Sequence, residues 1–157
     1  MITEAATVVV GMSGGVDSAA AAAILRDAGC HVVGLTMLLG NPKWAEDGTR
    51  GEPEGSSDVE RARLTCTELG IQHEVVDLRD AFASSVVEPF VREYLEGRTP
   101  NPCTVCNAAV RFPHLVSYAR EIGASHVATG HYVRVRWSPA SGRHQLLRAR
   151  ASSKDQS

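Results

Sequence analysis

Apolar residues fall into short runs along this chain, and polar or amphipathic segments separate the runs. Runs rich in Val, Ile and Leu predict four β-strands, at residues about 8–12, 31–39, 72–78 and 126–129. The segments that lie between these strands predict four helices, at residues about 16–28, 58–69, 80–96 and 108–121. We expect Pro89 to bend its helix and Pro113 to mark a kink or a restart.

This alternation of strands and helices predicts an α/β fold. Strands that are linked by helices form a parallel sheet, which the helices cover on both faces. Ligands of such sheets bind beyond the carboxyl ends of the strands. We therefore expect the turn after the first strand, the end of the second strand near Met37, and Thr129 to His131 to meet at one edge.

The end of the chain has a different pattern. Residues 132–137 and 145–150 alternate around a turn at 138–143, which predicts a C-terminal β-hairpin. We expect the α/β domain to cover residues 1–131 and the hairpin to open a second segment, 132–157. Two segments rich in Gly, Pro or charge predict loops, at residues 40–57 and 97–107.

The first strand ends in a glycine turn that leads into an alanine-rich helix. The turn reads Gly11-Met-Ser-Gly-Gly-Val-Asp-Ser18. Adjacent glycines let the backbone approach a ligand closely, and the N–H groups and dipole of a helix N-terminus favour an anion such as phosphate. The hydroxyl groups of Ser13 and Ser18 add donors, and Asp17 is placed to hold a cation. The alternative is an ordinary strand–helix turn with a serine cap.

This turn matches neither Gly-x-x-x-x-Gly-Lys-Ser/Thr nor Gly-x-Gly-x-x-Gly. It resembles the Ser-Gly-Gly-x-Asp-Ser loop of the ATP pyrophosphatases. That resemblance implies a Rossmann-like fold of the adenine nucleotide alpha hydrolase type. It also implies that ATP and Mg²⁺ bind, that ATP is split between its α- and β-phosphates, and that AMP passes to an oxygen of the substrate.

A second informative segment reads Arg98-Thr-Pro-Asn-Pro-Cys103-Thr-Val-Cys106-Asn107. The two prolines stiffen the backbone, and the cysteines have Cys-x-x-Cys spacing before a predicted helix start, which favours the reactive thiolate. Half of a zinc or iron–sulfur site, a dithiol redox pair and a nucleophilic or sulfur-carrying cysteine all fit this pattern. We expect Cys106 to be the more reactive thiol, and Cys30 and Cys66 to lie in the core.

Composition and charge set the limits of function. The 157 residues are 43% hydrophobic and 22% charged, as in globular proteins. Residues 1–97 hold seven Lys or Arg and sixteen Asp or Glu, whereas residues 98–157 hold nine and two. The basic part is typical of a nucleic-acid partner, although a solvated basic face has the same composition. The lack of an apolar span or leader predicts a cytoplasmic protein without a membrane partner.

The two motifs together resemble a known enzyme family. The glycine turn, Asn101-Pro-Cys-x-x-Cys-Asn107 and Ala128-Thr-Gly-His-Tyr132 are similar to those of the tRNA-specific 2-thiouridylases. The resemblance covers nearly the whole chain and implies that ATP adenylates the 2-carbonyl oxygen of a wobble uridine in tRNA. A cysteine persulfide, charged by a sulfur-donor protein, then delivers sulfur to that carbon.

The resemblance also implies roles for individual residues. Cys106 and Asp17 are the implied catalytic residues, with Asp17 holding Mg²⁺ through ATP. The implied ATP-binding residues are Gly11, Met12, Ser13, Gly14, Gly15, Val16, Asp17, Ser18, Met37 and Gly130. The implied contacts to the target base and tRNA are Asn101, Pro102, Cys103, His131, Lys154, Asp155 and Gln156.

The chain departs from the family in two ways. Cys103 stands where many members have Asp, which makes Cys103 and Cys106 candidate iron–sulfur ligands. The family also continues into a central domain with a second catalytic cysteine and a C-terminal β-barrel. We therefore expect this chain to be incomplete for sulfur transfer. The alternative is a non-catalytic module that binds ATP or AMP.

Overall fold

A computed structural model describes residues 6–40, 56–148 and 150. Four parallel strands form the main sheet in the order β3-β2-β1-β4. They are β1 (Thr7–Gly11), β2 (His31–Leu38), β3 (Gln72–Asp77) and β4 (His126–Thr129). The predicted parallel α/β sheet is confirmed, and the strand bounds agree within about a residue.

Helices connect these strands, and all but one of them lie in the predicted positions. They are α1 (Val16–Asp27), α2 (Ser56–Leu69), α3 (Arg79–Phe82), α4 (Glu88–Leu95), α5 (Pro102–Cys106) and α6 (Phe112–Glu121). None of the helices in the described ranges is both long and apolar enough to span a bilayer.

Strand β1 is the centre of the core. Val8, Val9 and Val10 are fully buried, and successive side chains point to opposite faces of the sheet. Val8 and Val10 pack in a cluster that includes residues of α1 and α2, whereas Val9 packs against Leu115 and other residues of α6 and β2. Helices therefore cover both faces of the sheet, as the continuous apolar run predicts.

Each of the two predicted helix interruptions is a π-helical turn before a proline. Residues 83–87 form one such turn before Pro89, and residues 107–111 form the other before Pro113. Proline lacks an N–H group, and its ring crowds the carbonyl four residues earlier. In both cases that carbonyl lies inside the π turn, where the wider backbone relieves the crowding.

The prediction of an irregular loop at 97–107 is wrong for the second half of this segment. Helix α5 begins at Pro102, and the side chain of Asn101 caps it by accepting a hydrogen bond from the Thr104 N–H at 3.2 Å. An Asn followed by Pro is itself a helix-start signal, because Asn caps well and Pro fits the first helical position. The two cysteines therefore lie in a helix and do not precede one.

The predicted C-terminal hairpin is confirmed. Strands β5 (Arg134–Ser138) and β6 (Arg143–Leu147) pair antiparallel, and Gly142 closes their turn with a φ of 61°. Most of the loop predicted at 40–57 and the implied tRNA-contact residues Lys154, Asp155 and Gln156 lie outside the described residues.

Tight packing between β2 and α2 generates a stability prediction. A Cβ atom at Gly34 would lie 2.8 Å from the Cys66 Sγ and 3.0 Å from the Met12 Cγ. We expect Gly34→Ala to lower the free energy of unfolding by about 1–3 kcal/mol, the usual cost of overpacking a core. Urea unfolding measures the change, with the exposed Ser117→Ala as the control.

A second substitution tests the cause of this loss. Cys66→Ala removes the nearest obstructing atom, so the double variant should be less destabilised than the two single effects predict by addition. Wild-type stability in Gly34→Ala would contradict the packing argument.

Candidate active site

A cavity of about 600 Å³ lies at the carboxyl ends of β1, β2 and β4, where the sheet topology predicts a ligand site. The structure brings together at this cavity most of the implied ATP-binding residues. Those that line it are Gly11, Met12, Ser13, Asp17, Ser18, Met37 and Gly130, and the implied tRNA contact His131 joins them. Gly14, Gly15 and Val16 complete the turn behind them.

The turn between β1 and α1 is closed by its own serines. The Ser13 N–H donates to the Ser18 Oγ at 3.2 Å, and the Ser18 hydroxyl donates to the Gly15 carbonyl at 2.9 Å. Gly15 caps α1 without a side-chain hydrogen bond. The buried Ser18 hydroxyl therefore shapes the turn, whereas the open N-terminus of α1 has the unpaired N–H groups and the dipole that favour an anion.

Two glycines allow backbone segments to meet at this turn. Gly14 has a φ of 72°, and a Cβ there would lie 2.6 Å from the Asp58 carbonyl oxygen of α2. A Cβ at Gly130 would lie 2.7 Å from the Ser18 nitrogen and 2.8 Å from the Asp17 carbonyl carbon. Any side chain at either position would push α2 or the end of β4 away from the turn.

The end of β4 also contacts the turn through side chains. The Tyr132 hydroxyl donates to the Asp17 Oδ1 at 2.7 Å, and the Asp17 carboxylate raises the pKa of Tyr132. Next to it, the His131 Nδ1 lies 2.7 Å from the Thr129 Oγ1, and the His131 ring lies 5.9 Å from that of Phe112. The contact between Tyr132 and Asp17 joins the hairpin to the cavity.

Several cavity residues were missed by sequence reasoning. Asp58, Phe82, Asn107 and Arg111 line the cavity, and Arg111 places a permanent positive charge there. Arg111 follows Asn107 by four residues, so a helical reading of this segment would have placed both on one face. The sequence interpretation of residues 97–107 as a loop hid this signal.

The cysteines do not share the cavity. Cys106 is only 6% exposed and packs with Leu78, Val86 and Val110, whereas Cys103 is exposed in the first turn of α5. Neither thiol is among the described residues that line the cavity. Within the described ranges no group of three His, Cys, Asp or Glu is placed to hold a metal ion, and the assignment of Cys103 and Cys106 as iron–sulfur ligands stays a prediction.

The other two cysteines behave as predicted. Cys30 and Cys66 are buried in the core beside β1, and burial raises the pKa of the Cys66 thiol. Both are therefore structural residues.

The sheet, the glycine turn and the cavity define a Rossmann-like α/β domain with a cavity at the N-terminus of its first helix. Comparison with solved structures agrees with this class. The glutamine-dependent NAD+ synthetase from Acinetobacter baumannii, solved with ADP, is 22% identical with a TM-score of 0.51. The match covers 76% of this chain and 21% of that one, and it supports the fold alone.

A family model described as the tRNA methyl transferase HUP domain matches residues 6–157, and the chain belongs to that family. A protein of Solibacter usitatus named tRNA-specific 2-thiouridylase MnmA is 48% identical over an alignment of 154 residues, which covers 95% of this chain and 42% of that protein. The protein of the same name from Trichormus variabilis is 50% identical over an alignment of 153 residues, which covers 96% of this chain and 41% of that protein. The chain thus spans about two fifths of these relatives.

The burial of the cysteines generates a labelling prediction. The expectation that Cys106 reacts first assumed that a helix starts after it, whereas α5 starts at Pro102. We now expect Cys103 to take the first equivalent of a neutral alkylating reagent, because it is exposed at a helix N-terminus. Mass spectrometry of the folded chain over time measures the order.

Two controls accompany this labelling experiment. Cys103→Ser should remove the fast phase, and in denaturant all four thiols should react. Labelling of Cys106 as fast as Cys103 in the folded chain would contradict the structure.

Proposed function

We propose that this chain is the ATP-binding and adenylating domain of a tRNA-uridine 2-sulfurtransferase. The observation that carries the proposal is the cavity that joins the Ser13–Ser18 turn to His131 and to the helix after Cys106. Identity of 48–50% to proteins named tRNA-specific 2-thiouridylase supports it. A non-catalytic ATP- or AMP-binding module is not favoured, since it would leave the cysteine segment without a use.

The cavity suggests how ATP lies in it. Its phosphates would face the N–H groups of the turn and the Arg111 guanidinium, while Met37 and Gly130 would contact the nucleoside. Mg²⁺ in nucleotide sites is held by one or two carboxylates together with phosphate oxygens. Asp17 and Asp58 both line the cavity, so the residues present fit this ion, which would neutralise charge on the phosphates.

The proposed chemistry has two steps. The 2-carbonyl oxygen of the uridine attacks the α-phosphate of ATP, and pyrophosphate leaves. In the second step the outer sulfur of a persulfide, supplied by a sulfur-donor protein or a cysteine desulfurase, bonds to C2, and the C2–O bond breaks as AMP leaves. The Cys106 thiolate then attacks the inner sulfur, so the S–S bond breaks and 2-thiouridine is released. The disulfide that forms between Cys106 and the persulfide-bearing cysteine is reduced by a cellular dithiol before the next cycle. Adenylation thus turns a poor leaving group into a good one.

Cys106 is the proposed catalytic thiol of this chain. It directly precedes the cavity residue Asn107, but its 6% exposure means that α5 must shift before the thiol can meet a base. Asn101, Pro102 and Cys103 are the proposed neighbours of that base, and His131 with Lys154, Asp155 and Gln156 are proposed tRNA contacts. We place this reaction in the cytoplasm.

The first test of this proposal concerns nucleotide binding. We expect Asp17→Asn to weaken Mg-ATP at least about tenfold, because an interaction with a charged group is worth roughly 1.5–3 kcal/mol and 1.4 kcal/mol is tenfold. Calorimetry with and without Mg²⁺ measures the change. Ser117→Ala, at an exposed residue that does not line the cavity, is the control, and equal affinity in the wild type and Asp17→Asn would refute the placement.

The second test concerns thiolation. Residues 6–157 would replace the matching segment of the Trichormus variabilis relative in a cell that lacks 2-thiouridine. We expect the graft to restore 2-thiouridine in tRNA, as mass spectrometry of nucleosides would show. Cys106→Ser in the graft should abolish it, because a hydroxyl cannot replace the thiolate.

The Ser117→Ala graft is the matched control and should remain active. Formation of 2-thiouridine by the Cys106→Ser graft would remove Cys106 from the proposed mechanism.

A further inference from the structure

The hairpin of β5 and β6 has two chemically different faces. Residues that lie opposite each other in an antiparallel pair share a face, and so do alternate residues of one strand. The observed pairing places Arg134, Arg136 and Arg143 on one face, with Gln145 among them. The other face carries Val135, Trp137, His144 and Leu146.

Among the described residues, no carboxylate is paired with the arginine face. The Arg134 guanidinium donates to the Arg148 carbonyl at 3.0 Å, and that of Arg136 donates to the Gln145 Oε1 at 3.2 Å, so both of these acceptors are neutral. None of the ion pairs found among the described residues involves a hairpin arginine. The sequence has no Asp or Glu at all between Glu121 and Asp155.

The arginine face is also exposed, and the hairpin that carries it starts beside the cavity. Arg134, Arg136 and Arg143 are all exposed to solvent. The hairpin begins two residues after Tyr132, which hydrogen-bonds to the cavity residue Asp17. The hairpin is therefore within reach of the flanking units of a polymer that inserts one unit into the cavity.

We infer that the arginine face of the hairpin binds the phosphate backbone of the RNA whose base enters the cavity. This inference rests on the proposed function, which supplies the RNA. Arg is suited to this task because its planar guanidinium binds a phosphate through two hydrogen bonds. Arg134 and Arg136 lie about 6.8 Å apart along one strand, so they can reach neighbouring phosphates of one chain. Such contacts fix the position of a nucleic acid without reading its sequence.

The test uses the 157-residue chain and removes the charges of the three hairpin arginines. The variant Arg134→Gln/Arg136→Gln/Arg143→Gln is compared with Arg63→Gln/Arg92→Gln/Arg120→Gln, which loses the same charge from exposed positions elsewhere. Fluorescence anisotropy measures the affinity for unmodified tRNA over a series of salt concentrations. We expect at least a tenfold loss at low salt in the hairpin variant and a slope of log affinity against log salt that is smaller by about 2 to 3.

A third variant separates lost charge from a damaged hairpin. Arg134→Lys/Arg136→Lys/Arg143→Lys keeps the charge but loses the forked hydrogen bonds, so it should keep the salt slope. Equal tRNA affinity in the hairpin variant and its charge-matched control would overturn the inference. So would a hairpin variant that loses binding to anionic lipid vesicles or to an acidic protein but not to tRNA.

The outcomes for the cavity remain distinct from those for the hairpin. Mg-ATP affinity should be unchanged in the hairpin variant Arg134→Gln/Arg136→Gln/Arg143→Gln, since none of these three arginines lines the cavity. If that affinity holds and tRNA affinity also holds, the hairpin inference fails while the proposed function stands. If the graft forms no 2-thiouridine but tRNA affinity is lost only in the hairpin variant, the proposed function fails while the hairpin inference stands.

Discussion

The cavity depends on close backbone contacts around the first turn of α1. These contacts leave no space for a side chain at the two glycines that make them. Gly14 meets α2 at the Asp58 carbonyl, and Gly130 meets the backbone of Asp17 and Ser18. Both contacts are closer than any Cβ atom would permit. They bring the ends of β1 and β4 and the start of α2 to one point, so an anion at the helix N-terminus would be enclosed from several sides.

The same constraint explains how the hairpin relates to the cavity. Because Gly130 lies against α1, the residues after it continue along the turn, and the Tyr132 hydroxyl reaches the Asp17 carboxylate. The hairpin thus starts from a fixed position at the cavity, although both of its own faces are exposed. In the proposed function, this position places ATP and RNA on neighbouring surfaces of one small domain.

Pro113 affects the part of the cavity wall that lies away from the glycine turn. Pro113 is accommodated by the π-helical turn at 107–111, and this turn contributes Asn107 and Arg111 to the lining. Cys106 lies just before the turn, in the cluster with Leu78 and Val110. We expect the shift that the proposed chemistry requires to occur at this widened turn next to the buried thiol, since π turns are common at functional sites.

Sequence alone determined the succession of strands and helices along the chain, the parallel sheet and the glycine turn, because apolar periodicity and turn glycines are local signals. It also placed Cys30 and Cys66 in the core. Tertiary structure decided that Cys106 is buried, that Arg111 lines the cavity and that Tyr132 contacts Asp17, 115 residues away. These features depend on how distant segments pack. The four-residue spacing of Asn107 and Arg111 indicates only that the two share a helix face, not that this face lines a cavity. The start of α5 is different, since Asn101 and Pro102 carried a local signal that the loop interpretation overlooked.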